Sequence, residues 1–131
     1  MPAASTTMEE APIVKKRVLI ADDNVEICEA IAVNIVDRYD VIFAHDGEEA
    51  LRLALTGDVD VMVLDVMMPQ LDGPGVLAEL RDRGSCLRVI LSSASHDLKA
   101  IARRLGVFDI LPKPFGIDDV EEKLARAVAL P

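Results

Sequence analysis

Val61-Met62-Val63-Leu64-Asp65 is the stretch that decides the fold, and Val66-Met67-Met68-Pro69-Gln70-Leu71-Asp72-Gly73 continues it. Four apolar residues run directly into a carboxylate, and a proline-bearing loop follows. Apolar side chains on both faces of so short a run describe a strand covered on both sides, the condition of a strand inside a parallel sheet. The run has strand length and falls far short of a membrane span.

The same grammar extends in both directions. Val18-Leu19-Ile20-Ala21 is a second two-faced apolar run, and it ends in Asp22-Asp23-Asn24. Ile27, Ile31 and Ile35, with Cys28 and Ala32 beside them, then repeat at helical spacing. Val41–Ala44 reads as another strand, after which Asp46 predicts a helix N-cap with Glu48 and Glu49 in the first turn, and Gly57 a helix end. Beyond the central stretch, Val76, Leu77 and Leu80 mark a helix stopped at Gly84. Leu87–Leu91 and Phe108–Leu111 read as strands four and five, separated by a short helix carrying Leu98, Ile101, Ala102 and Leu105 and ended by Gly106. Ile117, Val120, Leu124 and Val128 stripe a last helix. Strict alternation of strand and helix predicts an α/β fold: a doubly wound, five-stranded parallel sheet with helices on both faces.

Composition narrows the function. A chain of 131 residues, 51% apolar, has room for one well-filled core and none for a second. Its net charge of −9 opposes direct nucleic-acid binding, and Arg103-Arg104 is too small a basic cluster to reverse that. Two cysteines, Cys28 and Cys86, have neither metal-ligand spacing nor disulfide density, so both are expected as reduced thiols of a cytoplasmic protein. No segment has signal-peptide or membrane-span character. Residues 1–15 are expected to form a disordered leader, with residues 16–131 as the single domain.

Ligands of open parallel sheets bind at the carboxyl ends of the strands. Here those ends carry Asp22 and Asp23, Asp65, Ser92 and Ser93, and Lys113. Strands one, three, four and five are expected at or near the sheet centre, so that these groups meet in one pocket. Clustered carboxylates repel one another, and a hard cation such as Mg²⁺ relieves the repulsion. Beside an ammonium and a hydroxyl, such a cluster suits phosphoryl transfer to a carboxylate nucleophile. Each residue also has a bland reading: Asp22 and Asp23 as helix caps, Ser93 as a loop hydroxyl, Lys113 as a surface charge. Their conjunction in one predicted sheet favours the chemical one.

The motifs VLIADDN, HDGEEAL, VMVLDVMMPQLDG, VILSSAS and ILPKPF stand in the order of the response-regulator receiver family, and the chain resembles that family from about Arg17 to Leu130. The resemblance implies the flavodoxin-like receiver fold and a role for each site residue. Asp65 matches the phosphoacceptor. Asp22 and Asp23 match the acidic pair that binds Mg²⁺, and Met67 supplies a backbone carbonyl to the same ion. Ser93 matches the switch hydroxyl and Lys113 the phosphate-binding lysine, followed by a bond to Pro114 that is usually cis. It implies a partner too, a sensor histidine kinase or histidine phosphotransfer protein, and a receiver that catalyses its own phosphotransfer without being a conventional enzyme. The last stripe reaches nearly to the final residue, so a stand-alone receiver, monomeric or weakly dimeric and signalling by protein contact, is expected.

Two departures bear on output. Ile110 stands where the family has an aromatic switch residue, and the stretch from Ser93 to Lys113 is short. A hydrolase with an aspartate nucleophile is a competing reading, but Met67 occupies the place where its second Asp would sit. A pseudo-receiver would lack an acidic residue or the lysine, and none is missing.

Overall fold

The computed structural model describes residues 14–129. Apart from Val14 and Lys15, the expected leader lies outside the described residues. The elements are β1 (Arg17–Ala21), α1 (Val25–Ile35), β2 (Asp40–Ala44), α2 (Gly47–Thr56), β3 (Val61–Asp65), α3 (Gly73–Asp82), β4 (Arg88–Ser93), α4 (Leu98–Leu105), β5 (Asp109–Pro112) and α5 (Ile117–Ala129). All strands pair in parallel, in the order β2-β1-β3-β4-β5. This is the doubly wound sheet expected from the alternation.

Successive strand residues point to opposite faces, so a two-faced apolar strand feeds two cores. Leu19, Met62, Leu64, Val89 and Leu91 face Ala50 of α2, Val76, Leu77 and Leu80 of α3, and Leu98 and Ala102 of α4. Val18, Ile20, Val61, Val63 and Ile90 face Cys28, Ile31 and Ile35 of α1 and Val120, Leu124 and Ala127 of α5. Burying each of the larger aliphatic chains contributes about 2 kcal/mol, which makes β3, buried along its whole length, the most costly strand to disturb.

One expectation is corrected. Strand five is not central: β5 is an edge strand, paired only with β4. The chain crosses from β2 back over β1 to β3 and then advances one strand at a time, so β3 holds the middle, β1 and β4 flank it, and the last strand has no further neighbour. The reversal of direction between β1 and β3 is the switch point at which this class of sheet opens a crevice. Helix α4 has 8 residues and is the shortest helix among those described. Among the described residues no helix is long and apolar enough to cross a membrane.

Candidate functional site

The switch point sets two acids side by side. Ala21 is level with Leu64 in the β1–β3 register, so Asp22 and Asp65 leave the sheet together. One carboxylate oxygen from each of Asp22, Asp23 and Asp65 lies within 4.8 Å of the others. Asp22 and Asp65 are buried, and Asp23 is exposed. Lys113 arrives from the far end of β5. Its amide donates to the Ser93 carbonyl (2.9 Å), the bond to Pro114 is cis, and its Nζ sits 2.8 Å from Asp22 Oδ2 and 3.2 Å from Asp65 Oδ1.

The electrostatics follow from that crowding. Burial, and next the charge of Asp22, raise the Asp65 pKa; the nearby Lys113 ammonium offsets only part of this. Burial works against the Lys113 ammonium, yet the hydrogen bond and charge of Asp22, with those of Asp65, outweigh it and raise its pKa. One ammonium is therefore shared between two buried carboxylates, with a third at the rim. The donor set is all carboxylate oxygen and retains excess negative charge, which fits a hard divalent cation.

Local structure shows why the acidic pair is available. The bland reading made Asp22 and Asp23 caps of the first helix, but Asn24 does that work: its Oδ1 accepts from the amides of Glu26 (3.0 Å) and Ile27 (3.2 Å). Asp22 Oδ1 accepts from the Asn24 amide (2.9 Å), which leaves Oδ2 for Lys113. A cap-type residue directly before the helical stripe was the signal for Asn24. Gly73 carries a second constraint, one visible only once α3 is packed against β3. A Cβ there would lie 2.6 Å from the Asp65 carbonyl oxygen, so only glycine lets α3 begin against the end of β3. The Gly73 amide also donates to the Val66 carbonyl (2.9 Å), folding the loop that carries Met67 back on itself.

Ser93 is buried at the end of β4, and its Oγ accepts from the Ser95 amide (3.0 Å). Ser92 turns the other way and donates to the Leu111 carbonyl (3.0 Å). Met67 lies in the loop after β3 and is 73% exposed, so it does not serve packing. Ile110 is half-buried against the core under α4.

Residues 18–125 match the family model described as the response regulator receiver domain. The chain belongs to the response-regulator receiver family. Response regulator MprA of Mycobacterium ulcerans (strain Agy99) is 39% identical over 117 residues, covering 87% of this chain and 49% of that protein. MprA of Mycobacterium tuberculosis (strain ATCC 25618 / H37Rv) is likewise 39% identical, covering 87% and 50%. The chain thus spans about half the length of the curated relatives it matches. The Francisella response regulator 1452 receiver domain superposes with a TM-score of 0.82 at 36% identity, over 88% of this chain and 98% of that one. Response regulator protein TrrA of Thermotoga maritima, solved in complex with Mg²⁺-BeF, gives 0.77 at 28% identity, over 86% and 98%. A receiver of a two-component response regulator is not a conventional enzyme.

Proposed function

We propose that this receiver takes a phosphoryl group onto Asp65 from a sensor histidine kinase or histidine phosphotransfer protein. The observation that carries the reading is the convergence of Asp22, Asp23 and Asp65 within 4.8 Å, with the Lys113 ammonium held between the two buried carboxylates. Asp22, Asp23, Asp65 and the Met67 backbone carbonyl would hold Mg²⁺, which when bound neutralises charge on the phosphoryl oxygens. The TrrA complex with Mg²⁺-BeF supports the choice of ion by relationship.

In the step itself, a carboxylate oxygen of Asp65 forms a bond to phosphorus. The bond from phosphorus to the donor imidazole breaks, and its electron pair returns to the ring nitrogen. Lys113 binds a phosphoryl oxygen, and the Ser93 hydroxyl donates to another after leaving the Ser95 amide. The chain thereby catalyses its own phosphotransfer, and the acyl phosphate hydrolyses slowly. The phosphorylated protein signals by protein contact as a monomer or weak dimer in the cytoplasm, where Cys28 and Cys86 remain free thiols.

Incubation with acetyl phosphate and Mg²⁺, followed by intact mass, tests the assignment. One phosphoryl group adds to wild type and none to Asp65→Asn or to wild type in chelator. Stoichiometric label on the Asn variant rules the assignment out.

A further inference from the structure

Of the three clustered carboxylates, only that of Asp23 is held by no hydrogen bond or ion pair among the described residues. It is also the exposed one. Its aim depends on the backbone beneath it, and the peptide joining Asp22 to Asp23 is gripped from two sides.

The carbonyl oxygen of that peptide belongs to Asp22. The Cys28 Sγ donates to it from α1 at 3.4 Å, and His45 Nδ1 stands 3.1 Å from it at the end of β2. A carbonyl oxygen only accepts, so Nδ1 carries the proton. The Cys28 thiol, facing the same acceptor, donates as well. One carbonyl oxygen thus meets two donors from different elements, α1 and the end of β2.

His45 is itself fixed. Its ring stacks on Phe43 with centroids 6.2 Å apart. Its amide donates to Glu49 Oε1 (3.0 Å), and the Glu49 amide donates to the Asp46 cap (2.8 Å). The start of α2 therefore holds His45, and His45 holds the Asp22–Asp23 peptide. The Asp22 amide completes the joint by donating to the Ala44 carbonyl (3.0 Å).

We propose that His45 and Cys28 are positioning residues for the divalent cation: by holding the Asp22 carbonyl they aim the Asp23 carboxylate into the site. The inference rests on reading the three carboxylates as a cation site. Neither residue is one of the carboxylates that would hold the cation. Loss of one donor lets the peptide plane swing, so the ion must order Asp23 at a cost in affinity.

The test is Mg²⁺ titration of the full chain followed by ¹H–¹⁵N NMR, with thermal melts in chelator as the measure of fold. His45→Ala is expected to bind Mg²⁺ about fivefold more weakly, the factor a single net hydrogen bond commands. His45→Asn keeps a donor near the position of Nδ1 and is expected to bind within about twofold of wild type. Cys28→Ala against Cys28→Ser gives a second, independent pair. A purely structural His45 would lower the melt of His45→Ala in chelator and leave the dissociation constant alone, which overturns the proposal. An Asn variant as weak as the Ala variant overturns it as well. If wild type shows no shifts at millimolar Mg²⁺, the cation-site reading itself fails and takes this inference with it.

Discussion

Removing the charge of Asp65 should stabilise the metal-free protein. The perturbation is Asp65→Asn, which keeps the shape and an oxygen acceptor for Lys113. At an effective dielectric of about 20, unit charges 4.8 Å apart repel by about 3.5 kcal/mol. Asp22 is buried and exerts at least that on Asp65, whereas solvent cuts the share of exposed Asp23 to about half. The Lys113 ammonium at 3.2 Å returns about 5 kcal/mol. These contributions nearly cancel, so burial, the largest cause of the raised Asp65 pKa, decides the sign. In the variant Lys113 keeps Asp22 at 2.8 Å, so no buried ammonium is orphaned. We expect a gain of about 1–2 kcal/mol at pH 7 in chelator, or about 4–8 °C in melting temperature. The pH dependence has a fixed direction. Because the folded pKa of Asp65 lies above its unfolded value, wild type loses stability as pH rises through that interval, and the gap to the variant closes as pH falls. Mg²⁺ should reverse the order by stabilising wild type through mass action. Urea unfolding with and without chelator measures all three. A variant no more stable than wild type at pH 7 in chelator, or a gap that widens towards acid, refutes the reasoning.

Three further outcomes are expected. Met67→Asn should shorten the lifetime of the acyl phosphate severalfold, because an exposed Met shields without orienting water while an amide orients it; equal ³²P loss from both proteins would leave Met67 without that role. Beryllofluoride with Mg²⁺ should change hydrogen exchange chiefly over Ser95–Leu105, and the change should survive Ile110→Val. Helix α4 has no side-chain cap at its start, while Arg81 grips its end through the Leu105 (2.9 Å) and Gly106 (3.0 Å) carbonyls, so Leu98 should respond more than Leu105. A change confined to Ile110 would defeat that route. Gly73→Ala should cost about 1–3 kcal/mol in urea unfolding, since its Cβ meets the Asp65 carbonyl at 2.6 Å; an unchanged midpoint would show that α3 can shift away freely.

What the sequence determined by itself was periodicity and the chemistry of strand ends. Two-faced apolar runs such as Val61–Leu64, at strand length and bounded by turn residues, fit a strand covered on both sides, and they end where the ligand side of the sheet lies. Helix ends were equally legible where one residue decides them: Asp46 accepts from the Glu49 amide, and Gly106 takes the left-handed conformation. The acids, the lysine and the motif order followed from local pattern and family resemblance. Tertiary structure alone decided the rest, because it depends on which strands become neighbours. The place of β5 at the edge was not in its own residues; it came from the direction of the crossovers. Asn24, rather than the acidic pair, caps α1, a choice among adjacent residues of similar propensity that backbone geometry settles. The sharing of Lys113 between Asp22 and Asp65 spans 91 residues of sequence to Asp22, and the grip of His45 and Cys28 on one carbonyl joins the ends of β1, α1 and β2. Periodicity reports what one segment buries, whereas a contact between segments exists only once the sheet has set its register.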